Sequence, residues 1–148
     1  MTKLPISIIF LIFSISGHAS SIVETATEEQ LRSATCALSE MPSKAKNILL
    51  NATRIYLKKK DGVELVKAFQ MDEVPYFLTK CFQVHATMTM QQRTSKRNFA
   101  HFYDASERYM RFLLLVDVAK AGGADLATIK ELKQNAYAQI TKLNLEYY

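Results

Sequence analysis

Cys81, His85 and Met88 set a thiol, an imidazole and a thioether within eight residues, and Met90 follows two residues later. Thiolate and thioether ligands suit a soft ion such as Cu(I). With Cys36 and His101 from elsewhere in the chain, Cys81 and His85 also make an arithmetical Cys₂His₂ set for tetrahedral zinc. Three features oppose both metals. An oxidised Cys81 cannot be a thiolate ligand. At 100° per residue, Met90 points away from the arc that holds Cys81, Val84, His85 and Met88. The zinc set lacks the paired close spacing of structural sites. The same arc, extended by Phe77 and Leu78, has the composition of a helix face in a core, where Met fills irregular gaps and His85 sits half-buried and neutral. The reading is therefore a core helix, with no metal site.

The two cysteines point instead to each other. Leu31, Ala34, Leu38 and Met41 form an apolar stripe, and Cys36 lies almost opposite it on the same helix. A thiol that only packs would sit on the stripe. One that reaches sideways fits a bond to another helix, so Cys36–Cys81 is expected as an interhelical disulfide. It would close a loop of about 45 residues, a constraint of roughly 4 kcal/mol in the chain-entropy account.

A disulfide needs an oxidising compartment, and the N-terminus reads as a route to one. Lys3 precedes ten apolar-rich residues from Ile6 to Ile15, and Gly17 and Ala19 are small residues at the −3 and −1 positions before Ser20. That is the three-part pattern of a secretory signal peptide. The apolar run is shorter than the roughly 20 residues of a membrane span. Residues 1–19 are thus expected to be cleaved, with residues 20–148 forming a single domain that is periplasmic in a bacterium and extracellular in a eukaryote. Removing 19 of 148 residues leaves 129, enough for one core. Lys3 leaves with the signal, so 18 basic side chains face 14 acidic ones, a mild net charge of +4.

Other candidate chemistry is sparse. His101, Asp104 and Glu107 share part of one helical face, which would allow a proton-transfer pair, or equally a solvated flank. There is no G-x-S-x-G, phosphate loop, H-E-x-x-H or pair of C-x-x-C motifs. Lys58-Lys59-Lys60 and the run from Arg93 to Arg97 read as helix-end charges, since nucleic-acid binding asks for a broader basic face with stacking aromatics. Asn51-Ala52-Thr53 is a candidate N-glycosylation sequon, relevant only in a eukaryotic host and disfavoured by its mid-helix position. No catalytic residue, metal ligand or cofactor is assigned.

The elements that carry these residues are helical by period, with no hairpin signal. The expected helices run from Thr27, where T-E-E-Q reads as a capping box, to Pro42; from Ser43 to Lys60, with Ala45, Ile48, Leu49, Ala52 and Tyr56 on one side; from Val63 to Gln70; through Phe77 to Met88 after Pro75; from Lys96 to Ala121; and from Asp125 to Tyr147, striped by Leu126, Ile129, Ala136, Ile140 and Leu143. Asp61-Gly62 and Gly122-Gly123 supply breaks, and the Lys96–Ala121 helix has the apolar surface of a central element. The fold class is all-α, a compact bundle of five or six helices with one interhelical disulfide. Leu143, Leu145, Tyr147 and Tyr148 leave apolar groups at one end, to dock on the core or join a homodimer.

By elimination, these features describe an exported, non-catalytic helical protein that binds a macromolecular partner, most simply another protein. A periplasmic inhibitor or immunity-type protein and a secreted effector are its concrete forms. The alternative is a carrier of a small apolar ligand in an internal cavity lined by Phe, Tyr and Met. The processing step is tested by mass spectrometry of the exported protein, which should give a chain starting at Ser20 or within a residue or two; an intact Met1 in the mature fraction would remove the export argument.

Overall fold

The computed structural model describes residues 21–148, so the signal segment expected over residues 1–19 lies outside the described residues. Seven helices follow one another with short connections: α1 Ile22–Glu40, α2 Ser43–Lys59, α3 Val63–Phe69, α4 Glu73–His85, α5 Met90–Thr94, α6 Lys96–Ala121 and α7 Leu126–Tyr147. None is long and apolar enough to cross a membrane. The count exceeds the five or six expected because the segment left between the helices expected to end at Met88 and start at Lys96 forms α5. Thr89 and Gln92 close a capping box around its first turn, and Arg93 donates to the Ala86 carbonyl at 2.8 Å. One turn with both ends tied needs no apolar stripe of its own.

The capping signal in α1 was misplaced. Ser21 and Glu24 form the box that starts the helix. Thr27 lies inside it, fully buried, with its hydroxyl returned to the Val23 carbonyl at 2.7 Å. Pro42 ends α1 as expected and sits at the N-cap of α2. In α4, Pro75 occupies the first turn, where its missing N–H had no intrahelical partner. The break after α2 is made by Lys60, which takes the left-handed conformation at φ 57°, rather than by Gly62. After α6, Gly123 at φ 80° allows a Schellman closure: Ala124 N–H bonds the Ala119 carbonyl and Gly123 N–H that of Lys120.

As expected, α6 is a central element, packing against α1, α2, α4, α5 and α7. It shares the role with α1, which packs against α4, α6 and α7. The α1 surface toward these neighbours is made of small residues, Ser33, Ala34 and Ala37, all with no exposed surface. They let α4 approach closely through Val74, Leu78 and Cys81. Phe69, Leu49, Tyr109, Met110, Leu114 and Ile140 complete the main core. A smaller cluster joins Phe82, Ala86 and Phe102, with Phe82 edge-on to Phe102 at 4.7 Å and to Phe99 at 5.3 Å.

Several expected stripe positions face solvent instead. Val84 is 69% exposed and Leu126 is 88% exposed, and Ile48 and Tyr56 also lie on the outside. The arc from Cys81 to Met88 is not one helix face. The helix α4 stops at His85, Ala86 turns extended, and Met88 reaches the Phe82 cluster from the loop beyond. His85 is half-buried, as read from the sequence.

Cys36 and Cys81 are bonded, with Cα atoms 5.9 Å apart, and no described cysteine is free. The bond joins the half-buried flank of α1 to the buried face of α4, as the off-stripe position of Cys36 implied. Replacing both cysteines by Ala should lower unfolding stability by about 2–4 kcal/mol while far-UV circular dichroism stays helical, because the apolar contacts between α1 and α4 remain. Loss of helicity in the double variant would show the bond to be a condition of folding.

Candidate functional site

The expected chemistry-bearing clusters do not converge. Cys81 is consumed by its disulfide. Among the described residues, no three His, Cys, Asp or Glu side chains come together where they could hold a metal. The His101, Asp104 and Glu107 flank divides into separate pairs one turn apart. Asp104 Oδ2 accepts from Arg108 Nε at 3.0 Å, and Glu107 Oε1 accepts from Arg111 Nη2 at 2.5 Å. Asn51 is exposed on α2, whereas the Thr53 hydroxyl of the same sequon is buried and donates to the Leu49 carbonyl at 2.8 Å.

His101 turns inward to a polar network that the sequence did not disclose. The side chains of Gln30 and Asn144, both fully buried, exchange amide hydrogen bonds. Gln30 Nε2 donates to Asn144 Oδ1 at 3.1 Å, and Asn144 Nδ2 donates to Gln30 Oε1 at 2.7 Å. Asn144 Nδ2 also donates to Thr27 Oγ1 at 2.9 Å, and His101 Nε2 lies 2.8 Å from Asn144 Oδ1. Since that oxygen can only accept, the network assigns the proton to Nε2. The imidazole stacks flat on Tyr147, with centroids 3.7 Å apart and planes within 3°, and meets the edge of Tyr148. Tyr147 donates its hydroxyl to Asn98, and the Arg97 guanidinium lies 5.5 Å from its ring centre. Leu143 and Tyr147 thus dock on the core, whereas Leu145 and Tyr148 stay 65% and 47% exposed. Nearby, buried Glu29 accepts from Thr87 N–H at 3.2 Å and from Thr87 Oγ1 at 2.6 Å, tying α1 to the loop after α4. These bonds cross-link α1 with α6, α7 and the loop after α4, and every hydrogen-bonding position of the Asn144 side chain is used internally.

The two larger open spaces are apolar grooves away from this network. One of about 340 Å³ runs between α2, α3, α6 and α7, with Leu65, Phe112 and Leu115 in its lining and Arg108 and Arg111 beside them. Tyr56 and Val66 line it and are exposed, and Val63 is exposed on the same short helix as Val66, the two valines 53% and 48% exposed. Arg111 sits over Phe69, its guanidinium carbon 4.5 Å from the ring centre. Lys58, Lys59 and Lys60 follow Tyr56 at the end of α2, all exposed. The second groove, of about 420 Å³, lies between α1, α6 and α7 and is lined by Leu31, Phe112, Leu113, Val116, Ala136 and Tyr137, with Tyr109 among them. Tyr109 is 2% exposed, and its hydroxyl has no hydrogen-bond partner.

Both grooves were missed because their linings come from three or four helices and mix stripe with off-stripe positions. The network around Asn144 is tested by a double-mutant cycle. Asn144→Leu strands the buried Gln30 amide and should lower stability by about 2–4 kcal/mol in chemical denaturation. Gln30→Leu added to it should restore part of that loss, because the stranded amide is gone. Compared with family models, with curated proteins and with solved structures, the chain finds no significant match, and a functional reading rests on these residues themselves.

Proposed function

We propose that this is an exported, non-catalytic helical protein that acts by binding a protein partner, in the manner of a periplasmic inhibitor or immunity-type protein or of a secreted effector. The observation that carries the reading is the face made by α2 and α3. Tyr56 and Val66 expose apolar groups in the lining of a groove, and Val63 is exposed on the same short helix as Val66. Exposed apolar side chains gathered at one groove, with charges beside them, are the usual anatomy of an interaction surface. The three exposed lysines at the end of α2 add positive charge near the groove, while Arg108 and Arg111 are already paired with Asp104 and Glu107. The partner suited to this face presents one or two apolar anchors flanked by carboxylates.

Catalysis has little to work with. Asp104 and Glu107 are each engaged by an arginine, and His101 is held between Asn144 and Tyr147. Export is supported by the disulfide, which fits an oxidising compartment.

The experiment is affinity capture from the native compartment, followed by titration of the captured protein against wild type and Val66→Asp. Val66 is exposed, so the substitution should leave stability within about 0.5 kcal/mol. A carboxylate at the groove edge should weaken the captured complex at least tenfold, as expected for an interface anchor. Equal affinity of the two proteins for every captured species would overturn the α2–α3 assignment.

A further inference from the structure

The charge of this protein is not spread evenly. Of the 18 basic side chains in residues 20–148, six lie on α2 and the residue that caps it: Lys44, Lys46, Arg54, Lys58, Lys59 and Lys60. No Asp or Glu stands in residues 43–60, so the rest of that chain carries 12 basic side chains against 14 acidic ones. The whole positive balance resides in one helix. None of the six forms an ion pair among the described residues. The acids that flank α2 in sequence are engaged elsewhere. Glu40 pairs with Lys80, Glu64 pairs with Lys67, and Asp61 accepts from the Val63 N–H at 3.0 Å. Residues 1–20 contain no acidic side chain.

Helix stability accounts for only part of this pattern. Lys58 and Lys59 lie in the last turn, where cations complement the macrodipole. Lys44 lies in the first turn, at the positive end, where neither an acidic side chain nor a side-chain cap offsets it. Arg54 and Lys58 are four residues apart, a spacing at which like charges repel on a helix. At 100° per residue, Lys44, Arg54 and Lys58 share an arc of about 80° with Asn47 and Asn51, and all five are exposed. Buried Ala45, Leu49 and Ala52 lie on the opposite side. The arrangement works against the helix and gives it a polar, positively charged outer face.

We infer that this outer face of α2 docks on a membrane surface rich in anionic phospholipid. The inference does not rest on the partner reading, because α2 lines that groove through Thr53 and Tyr56, which are turned away from the arc. Charge fixes the sign of the occupant and shape selects its kind. The face is convex and runs about 21 Å from Lys44 to Lys58, and neither apolar groove receives any of its three cations. A protein partner needs a desolvated apolar centre, whereas the centre of this arc is Asn47 and Lys58. Nucleic acid needs stacking aromatics, and the one aromatic of α2, Tyr56, is on the groove side. A bilayer surface needs neither, since each lysine or arginine near it gains separately from its negative potential. Exposed Ile48 at one edge of the arc and half-buried Leu57 at the other add the apolar contact of an interfacial helix.

The test compares vesicles of phosphatidylcholine alone with vesicles containing about 30 mol% phosphatidylglycerol. The mature protein should co-sediment with the anionic vesicles at low ionic strength and not with the neutral ones. Sodium chloride at about 0.5 M should release it. Lys44→Gln with Arg54→Gln and Lys58→Gln should weaken partitioning roughly 100-fold, about fivefold per charge. Lys130→Gln with Lys133→Gln and Lys142→Gln removes as many exposed charges from α7, and it should weaken partitioning less than about fivefold. All six side chains are exposed, so both triple variants should keep the circular dichroism and thermal melt of wild type. Absence of binding to the anionic vesicles, equal binding to the neutral ones, or equal losses in the two triple variants would each overturn the inference. Tighter binding to polyglutamate than to the vesicles at equal charge would overturn it in favour of an acidic protein.

Discussion

The fold depends on burying a helix that is not apolar enough to be buried by itself. The helix α1 is packed by α4, α6 and α7, and its buried positions include Thr27, Glu29, Gln30 and Ser33 beside its alanines and Leu38. Each polar side chain there must find a partner inside the protein, because water is excluded. Thr27 and Gln30 find Asn144, Glu29 finds Thr87, and the Ser33 hydroxyl remains without one. The small residues that permit close packing and the polar residues that demand specific neighbours therefore act together. The first set brings the helices near; the second fixes which turn of α7 and which loop must meet α1.

This arrangement also separates framework from surface. Polar chemistry capable of recognition, His101 with Asn144 and the C-terminal tyrosines, is occupied in holding helices together. The two larger grooves lie where α6 and α7 diverge from their neighbours. Phe112 contributes to both, so the two share one wall.

Much of the helical frame was legible because period, proline and glycine act locally. The bounds of α2, α6 and α7 agree with the sequence reading to within a residue, and the disulfide followed from one off-stripe cysteine. The errors have physical causes. Two capping boxes compete near the start of α1, Ser21 with Glu24 and Thr27 with Gln30, and both members of the inner one are taken by Asn144 instead. The stripe that seemed to run from Cys81 to Met88 assumes helix throughout, whereas the chain turns extended at Ala86. The polar cross-link was invisible because nothing local distinguishes Asn144 from an exposed asparagine. Its partners on α1 lie 114 and 117 residues away. The Tyr109 hydroxyl was hidden for the same reason: in sequence Tyr109 is one more aromatic on an apolar stripe.

The span between Gln30 and Asn144 has a consequence for how the chain acquires its structure. Until the last turn of α7 has been made, the amide of Gln30 and the hydroxyl of Thr27 lack their neighbour on α7, and the burial of α1 is penalised. The first of the described helices is thus completed by the last of them, and stable folding must wait for both. Such a long-range closure slows folding relative to a bundle built from neighbouring hairpins. Before that closure, α1 is held only by what α4 and α6 supply, the Cys36–Cys81 bond among it.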